Sequence, residues 1–296
     1  MILGTLSMAE SFDTIRILDN FYQTSSFFPM PVVLVSTLSE SGKTNLGPYS
    51  LVFPYVIADE CKHAMMLIAR SDSNTATNIR RTGVCALNFI PDEKKYLENC
   101  VELGFPGETT EEKMANSIFT LIPSSRKNGV ENGRFPDIVE ESVQVMECTW
   151  EDKFPLNLCN GGDNFVLRVD SILLKSKYKD ALLRGMDAKD FPRLPIDYGF
   201  RDNLNFWFTK GDKPFPVPIP KSKGQNLNTI TFAAKRFDPS IEWTEEACAK
   251  LVNVPRIFLK KVFAGVVDAA KAEGITVITP EFLDKVRDKR SDEKNN

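Results

Sequence analysis

The run Arg70-Ser71-Asp72-Ser73-Asn74-Thr75, followed by Asn78, carries the residue types in this chain best suited to binding chemistry. It follows an apolar, strand-like stretch, and Ser, Asp and Asn are the residue types that cap helices. A helix over Thr75–Thr82 is predicted, with Gly83 as its left-handed stop. The free N–H groups and the dipole at such a terminus attract anions. Hydroxyls on Ser71, Ser73 and Thr75 add donors, and Arg70 adds charge. Plain capping is the other reading, and the commoner use of such residues, because most capped helices bind nothing.

The remaining candidates are excluded one by one. Ser41-Gly42-Lys43-Thr44 resembles the end of a phosphate-binding loop. That loop needs a glycine where Thr37 stands and a helix where Asn45 onward reads as strand, so the segment is a hairpin turn. There is no Gly-x-Gly-x-x-Gly and no Gly-x-Ser-x-Gly. The one histidine, His63, opens an apolar strand and reads as structural or solvated, and a single histidine rules out a His-rich metal site. Six cysteines, at 61, 85, 100, 148, 159 and 248, form no Cys-x-x-Cys pair; they read as reduced, buried thiols rather than as metal ligands.

The elements that must position these residues are mostly strands. Val-rich residues 31–38, then Asn45–Val52, His63–Ala69, Val84–Ile90, Val143–Glu151 and Phe165–Leu174 have strand composition. Residues 92–118 read as helical and charged with a break at Gly104–Gly107, residues 119–137 as loop, and Asn160-Gly161-Gly162-Asp163 as a turn. Too few helices separate the strands for a parallel sheet, so an antiparallel barrel or sandwich with inserted helices is expected. Prolines at 214, 216, 218 and 220 mark an extended linker, and residues 221–230 read as flexible. Beyond it the chain becomes helical. Trp243-Thr244-Glu245-Glu246 starts one helix and Pro255 a longer one running to Glu273. That helix has an apolar stripe of Phe258, Leu259, Val262, Phe263, Val266, Val267 and Ala270. Thr279-Pro280-Glu281 starts a third, and the charged tail from Asp288 reads as disordered. The resulting division is 1–212, a linker at 213–237, and a helical module at 238–296.

With 296 residues, 42% hydrophobic and 26% charged, the composition is that of a globular protein. Thirty-seven basic against 40 acidic side chains leave a net charge of −3, which excludes a strong field drawing nucleic acid or an anionic membrane as the main partner. No apolar run approaches the ~18 residues that span a bilayer, and Met1–Ser11 lacks the pattern of a signal peptide, so a cytoplasmic protein is expected.

An ordered series of segments resembles the flavin reductase-like family. Residues 31–37 are followed by Gly42-Lys43-Thr44-Asn45-Leu46-Gly47-Pro48-Tyr49-Ser50-Leu51-Val52-Phe53. Residues 74–88, 139–142, 147–148, 165–170 and 191–207 continue the series, which covers about 25–210. The resemblance implies an FMN-binding split β-barrel of Greek-key type that dimerises with flavin near the interface. It implies that Asn45, Pro48, Tyr49, Ser50 and Leu51 line the flavin ring, and that Arg70, Ser71, Ser73, Asn74, Thr75 and Asn78 hold its phosphate. Asn88 is a further candidate. FMN is the implied cofactor, with FAD as the variant and NAD(P)H as electron donor.

The implied activity passes hydride from nicotinamide C4 to flavin N5; the flavin supplies the chemistry and no catalytic side chain is needed. Relatives often carry Lys-Asp where this chain has Ser73-Asn74. The lost lysine removes a charge-assisted contact worth roughly 1.5–3 kcal/mol, which implies exchangeable flavin unless Arg70 compensates. Relatives that use pyridine nucleotide often have a histidine in the strand matching 165–174, and here Arg168 is central instead. Two rival readings follow: a flavin-bound electron carrier with a redox protein partner, and a barrel that has lost flavin. The segment from Trp243 to Thr276 is similar to the C-terminal segment of the light-independent protochlorophyllide reductase B subunit, which implies a docking or accessory module.

Overall fold

A computed structural model describes residues 13–18, 21–55, 63–105, 107–126, 134–154, 161–184, 191–201, 205–209, 211–212, 225–254 and 256–295. The predicted proline-rich stretch, Cys61, Cys159 and Pro255 lie outside these. The chain forms two compact units, Met1–Phe215 and Pro216–Asn296.

The first unit is built on strands. They are β1 (Met30–Pro31), β2 (Val33–Leu38), β3 (Thr44–Tyr49), β4 (Val52–Tyr55), β5 (Ala64–Arg70), β6 (Val84–Phe89), β7 (Leu121–Ile122), β8 (Ile138–Val139), β9 (Gln144–Trp150), β10 (Gly162–Leu174), β11 (Ile196–Arg201) and β12 (Phe206–Thr209). The helices are α1 (Phe21–Thr24), α2 (Asn74–Thr82), α3 (Lys94–Leu103), α4 (Thr110–Ala115) and α5 (Ser176–Arg184). Seven strands form one antiparallel sheet in the order β3-β2-β6-β9-β10-β5-β4, and β1, β11 and β12 form a smaller one.

The order of the large sheet explains its shape. Its two edge strands, β3 and β4, are consecutive in the chain and joined only by Ser50 and Leu51. The three Cα steps from Tyr49 to Val52 span at most ~11 Å, so the sheet must curl until its edges approach. The edges share no ladder, and the seam between them is the split in the barrel. The Ile68 amide donates to the Leu51 carbonyl at 3.0 Å and anchors this connection to β5. The expected continuous strand Asn45–Val52 is therefore two strands. Pro54 sits in β4, where an edge position tolerates its missing N–H.

Period-2 alternation gives each strand two faces. Val33 and Val35 join Leu67, Leu87, Phe165 and Leu167 in one core, to which α2 contributes Ala76 and Ile79. Leu34, on the opposite face of β2, packs with Leu46, Ile90 and, from α3, Tyr96, Leu97 and Leu103. Both faces of β2 are thus covered, and all six of its residues are buried. Each such aliphatic side chain contributes about 1.5–3 kcal/mol when buried. Gly83 closes α2 at φ 71°, its N–H donating to the Ile79 carbonyl at 2.8 Å. The Ser39–Lys43 segment is the expected hairpin turn between β2 and β3.

Other local expectations are corrected by tertiary contacts. Gly162 and Asp163 are not loop residues: they begin β10, and Asp163 is fully buried. Within 119–137, Leu121–Ile122 pairs with Ile138–Val139.

The second unit packs α6 (Leu227–Phe237), α7 (Glu245–Lys250), α8 (Arg256–Ala272) and α9 (Pro280–Asn295) with a parallel pair, β13 (Glu242–Trp243) and β14 (Val277–Ile278). Thr244 caps α7 as its sequence predicts, its side chain accepting from the Ala247 amide. The stretch read as flexible holds the start of α6, where Asn226 and Thr229 form a capping box, and Ile230 and Ala234 are buried. The tail from Asp288 continues α9 rather than being disordered; Arg287 pairs with Asp284 one turn earlier. Phe258 is exposed, whereas Leu259, Phe263, Val266, Val267 and Ala270 are core. No described helix is long and apolar enough to cross a membrane.

Candidate functional site

A cavity of about 930 Å³, within the range of small-molecule sites, opens beside the end of β3 and its connection to β4. The end of β3 and its connection contribute Pro48, Tyr49, Ser50 and Leu51. The end of β5 contributes Ile68 and Arg70, and α2 contributes its cap Ser73 with Asn74 and Thr75. Leu103 ends α3 and Phe105 follows it, Lys113 comes from α4, and Phe206 and Phe208 from β12. Apolar and aromatic surface thus shares one cavity with a helix N-terminus, two basic side chains and three acidic ones, Asp72, Glu108 and Asp197.

The terminus of α2 is built by a short network. The Ser73 hydroxyl accepts from the Ala76 amide at 3.1 Å and donates to the Arg70 carbonyl at 2.7 Å. The Tyr49 hydroxyl donates to Ser73 Oγ at 3.1 Å and ties the sheet edge to the cap. Burial pushes the Tyr49 pKa up, against hydrogen bonds to Ser73 and Thr75 and the Arg70 charge, so the phenol remains a neutral donor. The first helix hydrogen bond runs from the Thr77 amide to the Ser73 carbonyl, which leaves the Asn74 and Thr75 amides among the orphan donors of the first turn.

The close approach of β3 to this turn requires a glycine. A Cβ at Gly47 would lie 2.5 Å from Thr75 Oγ1 and 3.0 Å from the Tyr49 ring. Gly47→Ala is therefore expected to destabilise the first unit by about 1–3 kcal/mol, read as a lower urea midpoint. An unchanged midpoint would show that α2 yields freely at this contact.

Four residues expected at the site do not line this cavity. Asn45 is fully buried on β3, its Oδ1 accepting from Asn74 Nδ2 at 3.5 Å and Thr110 Oγ1 at 3.4 Å, while its Nδ2 has no partner. Ser71 Oγ donates to Asp163 at 2.7 Å. Asn78 donates to Thr37 at 3.1 Å and lines a separate polar depression. Asn88 is buried between strands, donating to the Leu34 carbonyl at 2.9 Å and accepting from the Val139 amide at 2.9 Å. These four hold the elements together.

Sequence reasoning passed over Lys113, Leu103, Phe206 and Phe208. Only the Thr109-x-x-Glu112 capping box signalled where α4 begins, and nothing local marked the inward face of that helix.

The cavity holds little side-chain chemistry of its own. Cys100 lines it, but burial pushes this thiol up to about 12, so the reactive thiolate is absent near neutrality. His63 is exposed. Among the described residues no cluster of His, Cys, Asp or Glu is arranged to hold a metal ion. The arrangement can bind and orient an amphipathic anion; the residues do not form a nucleophile–base pair.

No family model and no curated protein matches the chain. Solved structures do. The 2-nitrobenzoate 2-nitroreductase of Pseudomonas fluorescens superposes with a TM-score of 0.51 at 16% identity, covering 67% of this chain and 88% of that one. Flavoredoxin of Desulfovibrio vulgaris (Miyazaki F) superposes with a TM-score of 0.50 at 12% identity, covering 73% of this chain and all of the other. At these identities the likeness establishes the fold, a split β-barrel with added helices.

Proposed function

We propose that the first unit binds FMN in the cavity beside the β3–β4 connection and works as an NAD(P)H-dependent flavin reductase. The carrying observation is that one cavity wall joins apolar, aromatic surface to the α2 terminus with Arg70 and Lys113, even though Asp72, Glu108 and Asp197 also line it. A flavin phosphate ester likewise joins a flat ring system to an anionic tail. The residues fit both parts. Ser50 lines the cavity, and its hydroxyl has no hydrogen-bond partner among the described residues, so it is available to a ring edge. The α2 amides and the two basic side chains suit the phosphate. A nitroreductase and a flavoredoxin with the same fold support the reading by analogy.

A bound flavin would supply the redox chemistry, accepting hydride from a reduced nicotinamide. The chain would bind, orient and shield. Pro48 to Leu51 would flank the ring, and Leu103, Phe206 and Phe208 would exclude water from it.

One observation favours the carrier alternative. Arg168, at the centre of β10, is engaged by Glu151 and by Asp170 and leaves no histidine at that position for a nucleotide. Anaerobic mixing of the FMN-loaded chain with NADH or NADPH separates the two. The reductase reading predicts a visible flavin band that bleaches faster than free FMN with at least one nucleotide. A band that bleaches only with dithionite would overturn it in favour of an electron carrier.

A further inference from the structure

Cys85 on β6 and Cys148 on β9 are direct cross-strand partners, and both are free thiols. Their side chains share the core that holds Leu87, Phe165 and Leu167, and both residues are fully buried. Neither lines the cavity, so binding at that site uses neither.

The pairing meets the spacing of a disulfide. Directly opposite residues of an antiparallel ladder have Cα atoms about 4.5–5.5 Å apart, inside the ~4.4–6.8 Å of linked cysteines. The two thiols already hydrogen-bond to each other. That bond first, and burial second, hold the Cys148 thiol well above its ordinary pKa. Arg126 fixes the register from the main chain: its Nη1 donates to the Cys148 carbonyl and its Nη2 to the Cys85 carbonyl, each at 3.1 Å. One guanidinium thus holds both backbones where the thiols lie side by side. Cys100 belongs to another core cluster and Cys248 to that of the second unit.

We propose that Cys85 and Cys148 form a reversible cross-strand disulfide when hydrogen peroxide reaches the core, a covalent lock between β6 and β9. The first thiolate attacks a peroxide oxygen and the O–O bond breaks, giving a sulfenic acid and a hydroxide that takes the thiol's proton to become water. The partner sulfur attacks the sulfenic sulfur, the S–S bond forms, and the hydroxyl leaves as a second water. The two thiols together lose two electrons and two protons, and the peroxide gains them. The thiolate is the reactive form and is suppressed in the closed core, so the reaction runs through openings of the sheet. The new bond closes the loop from 85 to 148, restricts the unfolded chain and stabilises the first unit. Ala76 and Ile79 of α2 pack on the same core, so the lock lies under the helix whose terminus lines the cavity.

The test exposes the full, reduced chain to hydrogen peroxide at a urea concentration below its unfolding transition. Samples are quenched, unfolded, alkylated with iodoacetamide and mapped by peptide mass. The fully unfolded chain, oxidised alongside, sets the distribution of random pairings. The expected result is a Cys85–Cys148 link in excess of that distribution. It should form faster as urea opens the fold, raise the urea midpoint, and be reversed by dithiothreitol. Cys148→Ala should lose both the link and the rise. Should that variant fail to fold, Cys85→Ala is read the same way, and the map of the wild-type chain decides even if neither folds. Thiols that all remain open to alkylation would overturn the proposal. So would a link no commoner than in the unfolded chain, or oxidation of these two sulfurs beyond the sulfenic acid without a link.

Discussion

Arg80→Met is expected to cost the first unit about 3 kcal/mol and to weaken ligand binding at a cavity that Arg80 does not touch. Arg80, on α2, pairs with Asp163 of β10, whose side chain is fully buried. It also donates to the Ser71 carbonyl. Removing the guanidinium leaves a buried carboxylate with, among the described residues, only the Ser71 hydroxyl as donor. Breaking such a pair from one side costs roughly 3–5 kcal/mol. The remaining hydroxyl and the partial exposure of Arg80 place the loss at the low end. Arg70 and Ser71 lie three and two residues before the α2 cap Ser73, so loosening them also displaces the α2 terminus that lines the cavity. The double variant Arg80→Met/Asp163→Leu removes the stranded charge and should recover most of the stability. Urea unfolding of the three proteins decides: a single variant within about 1 kcal/mol of wild type, the typical worth of a neutral hydrogen bond, would mean that Asp163 is adequately served by Ser71 alone.

Glu147→Gln should show the second large effect, and one that depends on pH. Glu147 is fully buried on β9 and accepts from the hydroxyls of Ser124, Ser125 and Ser171 and from the Ser125 amide at 3.0 Å. Burial pushes its pKa up, but these donors outweigh that and leave it below the usual carboxylate range. A folded value below the unfolded one gives stability that is fully present above the unfolded value of about 4.3. It is lost as pH falls through the lower folded value. Gln presents an amide donor to a fixed Ser125 N–H and to three hydroxyls. The variant should lose about 2–3 kcal/mol near neutrality, and the gap to wild type should close in acid. Thermal melts of both proteins across that range check it. A gap independent of pH would show that the loss is one of packing and not of charge.

What could be read from sequence was local. Ser73 and Gly83 delimit α2 because caps act within one turn, and β2 shows its two faces in six residues. The split was not legible: Asn45 to Val52 has the composition of one strand, and only closure of the sheet places a break at Ser50. Asp163 looked like a turn residue because its partner, Arg80, lies 83 positions away. Asn78, Asn88 and Ser71 carry site-like chemistry but spend it on Thr37, Leu34 and Asp163. Lys113 sits in a charged helix that reads as solvated, yet it is buried against the cavity.

The central claim is that the cavity beside the β3–β4 connection takes FMN. Its most direct test is a visible difference spectrum of FMN titrated with the full chain. The account predicts a perturbed flavin band that saturates at one flavin per chain. A spectrum that superimposes on free FMN, with protein in excess and well above micromolar, would contradict it.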